Sequence, residues 1–235
     1  MNTTLVLVTS MAFLIAILFS IYSWNRYRPV SYALLIWFFI AFGLAQIPYF
    51  QDAKTWMEGD WKGFLAFGSL LMLPVLVLVI SWLKNQKFKN FLDQIPTWLL
   101  ISTQAYRFAG IFFLVFYVQD KLPFEIGVVN GLLDVTVATS AIILSILIYR
   151  KGNKYNKLVL AWNGLGLLDF ASAFTVVGLT FFDLLTVYPA PTPMGLPPLT
   201  LISIFQVPIA MFIHIYLINR VKNTNRITNT VEHLK

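Results

Sequence analysis

Three ionisable residues, Arg107, Asp134 and Asp169, are flanked on both sides by apolar sequence. Each falls near the middle of a run of about 20 mostly apolar residues, the length that crosses a bilayer core of about 30 Å. A charge at the centre of a lone membrane helix costs about 2.5–3.5 kcal/mol on insertion scales. Three unpaired charges would cost on the order of 8–10 kcal/mol, comparable to the stability of a whole domain. They are therefore expected to face the interior of a helix bundle, with Arg107 paired to Asp134, to Asp169 or to both. One arginine cannot neutralise two carboxylates. Either one aspartic acid is protonated, or a cation or cationic ligand supplies the balance.

Helical spacing adds neighbours to each charge. Gln104 shares a face with Arg107, Asn130 with Asp134, and Trp162 with Asp169. Small residues stand beside them: Gly110, Gly131 and Gly166, which let helices approach closely. In the last apolar stretch Ser203, Gln206, Ala210 and His214 fall near one face, and Pro208 is expected to kink the helix between Gln206 and His214. The candidate ligand- or proton-binding residues are thus Arg107, Asp134, Asp169, Gln104, Asn130, Gln206, His214 and Trp162.

These residues need elements to position them. Apolar stretches run over 4–24, 31–50, 63–83, 97–118, 126–149, 158–182 and 198–219. Hydrophobic residues make up 58% of the chain and charged ones 11%, against about 45–50% and about 25% in soluble domains. The expected fold is therefore an all-α integral membrane bundle of seven transmembrane helices in one domain. Helices one to three carry no charge and read as scaffold; Pro74 should kink the third. Residues 220–235 read as a flexible, basic cytoplasmic tail.

The basic residues are sided. Arg26 and Arg28, Lys84, Lys87 and Lys89, Arg150, Lys151, Lys154 and Lys157, and Arg220, Lys222, Arg226 and Lys235 fall on one face of such a bundle. Lys54, Lys62 and Lys121 fall on the other. The positive-inside rule then puts the C-terminus in the cytoplasm and the N-terminus outside. The expected location is the plasma membrane, the inner membrane of a bacterial cell. The net charge of +7 is an orientation signal and a contact for anionic lipid; it forms no clustered nucleic-acid footprint. The first stretch lacks a basic n-region and reads as a retained helix. The loop 51–62, with Trp56 and Trp61, reads as an interfacial segment. The loop 183–198 holds five prolines and reads as either a stiff cap or a connector.

Several chemistries lack their residues. The chain has no cysteine, and no lysine lies within a stretch to carry a covalent retinal. A single intramembrane histidine cannot supply a bis-His haem or a zinc set. An intramembrane aspartyl protease would need one carboxyl protonated beside the other, while Arg107 holds both ionised. No cofactor and no metal are expected, and nothing supplies an enzyme's nucleophile.

Arg107-Phe108-Ala109-Gly110, Gly131-Leu132-Leu133-Asp134, Trp162-Asn163-Gly164 through Asp169, and Val207-Pro208 with His214 resemble a widespread group of small bacterial seven-helix integral membrane proteins. The resemblance covers about residues 107–214. It implies membrane location and this choice of positions, and no activity. Two functions fit the residues. The first is a carrier of a small polar or charged solute at the membrane midplane, with Asp134 or Asp169 cycling protons. The alternative is a ligand-binding or sensor protein that holds a lipid-like or aromatic molecule in the bundle.

Overall fold

The computed structural model describes residues 3–47, 61–197 and 199–233, with side chains over 7–47, 61–152, 154–197 and 199–224. The described residues are mostly helical, without strands. Its elements are α1 (Thr3–Trp24), α2 (Arg28–Ala45), α3 (Trp61–Lys84), α4 (Gln86–Gln94), α5 (Thr97–Val118), α6 (Glu125–Lys151), α7 (Asn156–Phe181) and α8, which starts at Leu199 and ends at His233. Seven of these, all but α4, are long and apolar enough to cross a membrane. The expected interfacial loop 51–62 falls mostly outside the described residues, as do Pro48 and Pro198.

Large apolar side chains cover the outside: Leu14, Leu18 and Ile21 on α1, Leu65, Leu73, Leu76 and Ile80 on α3, Ile143 on α6 and Leu168 on α7 are exposed. Such a surface suits hydrocarbon, not water. The helix that the bundle surrounds is α8. Of its Leu199–Thr224 window 78% is buried, against 22–44% for the other six.

Small residues set the closest packing. Ala12, Ala16, Ala41 and Ala45 are fully buried, and Ser31 Oγ donates to the Ser20 carbonyl at 2.9 Å. Small side chains let two helix backbones approach, and their hydroxyls can bond across the seam.

The segment between α3 and the fifth element is helical, where an 84–96 loop was expected. Asn85 caps α4 by accepting from the Phe88 amide at 3.1 Å. Phe88, Phe91 and Leu92 are buried together, at the i, i+3, i+4 spacing of one helical face. Its far end is clasped by α8: Tyr216 donates to Asp93 Oδ1 at 2.7 Å and Arg220 Nη1 to the Ile95 carbonyl at 2.6 Å. The last helix also runs past its expected end at 219. Thr224 Oγ1 donates back to the Arg220 carbonyl and Asn223 to the Asn219 side chain, so the first polar residues of the expected tail continue the helix.

Three elements leave the α geometry. Thr103–Gly110 in α5 is a tight 3₁₀ segment, while Glu125–Asn130 in α6 and Ile202–Gln206 in α8 are wide π segments. The last has a clear cause. Proline has no N–H, so Pro208 cannot bond the carbonyl four residues earlier, that of Ile204. The π segment lies just before Pro208, and regular α-helix resumes at Val207. Trp37 Nε1 on α2 donates to the Ile204 carbonyl at 3.1 Å. Trp37→Phe keeps an aromatic ring and removes that donor. It is expected to cost about 1–3 kcal/mol, read as a lower unfolding midpoint of the detergent-purified protein.

Candidate functional site

The site is built outward from Arg107. The 3₁₀ turn that carries it presents Gln104, Arg107, Ala109 and Gly110 inward, all buried. A guanidinium has five N–H donors in a planar fork and no acceptor, so once buried it must find acceptors. Nε donates to Asp134 Oδ1 on α6 at 2.6 Å. Nη2 donates to Asp169 Oδ2 on α7. Nη1 faces His214 Nε2 on α8 at 3.2 Å. The guanidinium carbon lies 4.3 Å from the centre of the Phe170 ring, a cation–π contact. Both expected ion pairs are formed, on one arginine.

His214 is held on both sides, and its partners assign its tautomer. The Asn163 amide nitrogen donates to the Val159 carbonyl at 2.7 Å, so Oδ1 is the atom 2.8 Å from His214 Nδ1. An amide oxygen only accepts, so Nδ1 carries the hydrogen. Nε2 is then the acceptor for Arg107, which can only donate. The ring is a neutral spacer between α7 and the guanidinium. Trp162 lies against it with ring centres 4.8 Å apart, and donates to the Val137 carbonyl at 3.1 Å.

Asn130 ends the π segment of α6 and fastens it to α7. Its amide nitrogen donates to the carbonyl and Oδ1 of Asp169 at 3.0 and 2.8 Å and to Ser172 Oγ at 2.6 Å.

Two glycines make the approach possible. A Cβ on Gly110 would run into the Asp134 side chain, and one on Gly166 into the His214 ring and Arg107.

Beside the cluster lies a cavity of about 250 Å³. Arg107, Asp134, Asp169, Asn130, Gln206 and Ser203 form its polar end. The walls are apolar: Phe64, Phe67, Leu71 and Met72 from α3, with Phe113, Phe174 and Val177 opposite. Met194, in the proline-rich 183–198 loop, also lines it, which favours the cap over the bare connector. Five of the eight expected site residues line the cavity. Gln104, Trp162 and His214 do not; they are buried behind it. His214 bonds the arginine, and Trp162 packs against His214.

Sequence reasoning missed the α3 wall, Phe170 and Asn163. Asn163 was legible as a polar residue inside an apolar stretch. The α3 residues carried no signal, since every face of that helix is apolar.

Not all polar groups are satisfied. Gln206 lacks a hydrogen-bond partner for both Nε2 and Oε1 of its side chain, and so does Asn130 Oδ1, among the described residues. The side chain of Gln104 is unpaired in the same way, away from the cavity.

A family model described as a domain of unknown function, DUF8737, matches residues 64–221. No curated protein and no solved structure matches the chain.

Arg107→Met removes the shared partner of two buried acids and is expected to destabilise by about 3–5 kcal/mol. Gly166→Ala is expected to cost about 1–3 kcal/mol through overpacking. Both are read by unfolding the detergent-purified protein. An Arg107→Met variant as stable as the parent would refute the role given to the arginine.

Proposed function

This chain belongs to the DUF8737 family, and we propose that it is a multi-pass membrane protein that holds a small, largely apolar molecule in the cavity beside Arg107. The observation that carries this reading is the shape of the lining. Aromatic and aliphatic walls from α3, α5 and α7 end at one polar patch, which is how sites for amphipathic small molecules are built. The donors of Arg107 are directed at its protein partners, so the arginine acts as a fixed part of the floor. A small polar or charged solute would leave most of the wall unmatched.

The matched span contains every residue that lines the cavity. The proposed orientation follows the basic residues, with the C-terminus cytoplasmic and the N-terminus outside a plasma membrane, the inner membrane in a bacterium. In that orientation Lys84, Lys89 and Arg220, which line a polar groove with Asp93, face the cytoplasmic leaflet, where anionic lipid would meet them.

A second reading, a proton-coupled carrier, draws support from the two aspartic acids that share one arginine beside the cavity, since intramembrane carboxyl groups serve as proton relays. Counterflow in proteoliposomes of a molecule that the cavity binds, sensitive to Asp169→Asn, would favour carriage. Binding without flux would favour a sensor.

The test of the cavity is Gly68→Leu. Gly68 lines it, and a Cβ there meets nothing within 4 Å, so a leucine can start into the space without a clash at its Cβ. Native mass spectrometry of the parent should show a retained molecule, or uptake of a phenylalkyl probe. Gly68→Leu should lose either one by about tenfold or more while unfolding near the parent temperature. Equal retention in the two proteins would remove the proposal.

A further inference from the structure

The unpaired atoms of the cavity narrow the kind of molecule it takes. Gln206 is 1% exposed and Asn130 2%, and both line the cavity. A buried amide without partners costs about 1–3 kcal/mol, and a molecule that hydrogen-bonds these three atoms, on α6 and α8, would relieve that cost. Two of the three, Gln206 Oε1 and Asn130 Oδ1, accept hydrogen bonds, while Gln206 Nε2 donates. The orientation of Asn130 is dictated by its partners. Its nitrogen is turned to the oxygens of Asp169 and to Ser172, which leaves the oxygen as the free atom.

The backbone around Gln206 is fixed while its side chain is unpaired. The Gln206 carbonyl accepts from the Tyr106 hydroxyl at 2.8 Å, and the π segment that ends at Gln206 follows from Pro208. The side chain is thus presented by an anchored turn.

We infer that the ligand carries one uncharged head, a hydroxyl or a carboxamide, that both donates and accepts hydrogen bonds at Gln206 and Asn130. The inference rests on the cavity being a binding site. A hydroxyl donates to one of the two oxygens and accepts from Gln206 Nε2. A carboxamide can do the same and has a second N–H for the remaining oxygen. A charged head is disfavoured by the ion cluster. Arg107 faces acceptors from three helices, and both aspartic acids are paired with it. A carboxylate or an ammonium would have to leave water for a mostly apolar cavity whose one guanidinium is already paired with two aspartic acids. Water alone could also occupy the polar end, since buried waters satisfy groups of this kind, and the experiment must separate the two.

The experiment uses the full chain in lipid nanodiscs and four fluorine-labelled phenylpropyl probes that differ only in the head: alcohol, carboxamide, ammonium and carboxylate. Fluorine NMR reads the bound population at neutral pH. The alcohol and the carboxamide are expected to bind about tenfold or more tighter than either ion. Gln206→Met keeps the length of the side chain and removes both amide atoms. It should weaken the alcohol and carboxamide by about tenfold and leave a fluorine-labelled propylbenzene without a head unchanged. It should also unfold at a higher temperature than the parent when no probe is present, because it removes two unsatisfied atoms; a structural glutamine would have the opposite effect.

Equal binding of all four heads, tightest binding of the ammonium or the carboxylate, or a head preference that survives Gln206→Met would each overturn the inference. So would head-independent binding with retained water at the amide, the outcome of water only. Gly68→Leu separates the two levels. If it blocks every probe while the heads are not discriminated, the cavity stands and the head assignment falls. If it blocks none, the cavity itself is not the binding site.

Discussion

A guanidinium cannot be buried without acceptors, and the second half of this fold is arranged around meeting that requirement. Arg107 is 3% exposed and takes partners from three separate helices: Asp134 on α6, Asp169 on α7 and His214 on α8. Each contact has a direction, so together they restrict the rotation of each helix relative to α5 in a way that apolar packing cannot. Buried ion pairs seldom exceed a well-packed apolar replacement in net stability, and register is their best-attested use. The residues that let the helices close on the arginine are the ones with no side chain. Gly110 stands against Asp134, and Gly166 against His214 and Arg107. Charge and absence of bulk are two parts of one device.

The departures from α geometry belong to the same place. Arg107 lies within the 3₁₀ turn, and Asn130 and Gln206 are the last residues of the two π segments. A π turn inserts one extra residue and so rotates the face that follows it, and such turns occur often at functional sites. Where a cause can be assigned it is local: Pro208 frees the Ile204 carbonyl, and Trp37 from α2 takes it up. This ties the charge-free first half of the chain to the site. Its scaffold role is specific at Trp37, and α3 goes further by forming a wall of the cavity.

How far the sequence revealed this depends on contrast. Arg107, Asp134 and Asp169 were legible because a charge inside an apolar run has few physical solutions, and Asn130 and Gln206 for a weaker form of that reason. What periodicity could not do was rank depth. Gln104, Trp162 and His214 face the interior as the cavity residues do, and only the packing tells a lining residue from a supporting one. The α3 wall was illegible for the opposite reason. Phe64, Phe67, Leu71 and Met72 sit in a helix whose mean hydropathy reaches 2.6, so its lipid-like and cavity-facing sides read alike. The short α4 was hidden by its length and its lysines, although Phe88, Phe91 and Leu92 keep helical spacing.

The two ends of the cavity hold a molecule by different physics. Apolar walls act through area, without direction, and tolerate changes of shape in whatever fills them. The far end acts through hydrogen bonds, whose strength falls steeply with angle and distance. The structure gives these ends different mechanical support. The polar end stands on α5, α6, α7 and α8, which are joined through Arg107 and Asn130. The α3 wall meets α7 through aromatic contacts, with Phe64 stacked 4.2 Å from Phe181 and edge-on to Phe182. Aromatic stacking is worth about 0.5–1.5 kcal/mol beyond its buried area, less than the cost of opening the ion cluster. Discrimination between ligands then resides in the end that acts through direction, and tolerance of their size in the walls that act through area.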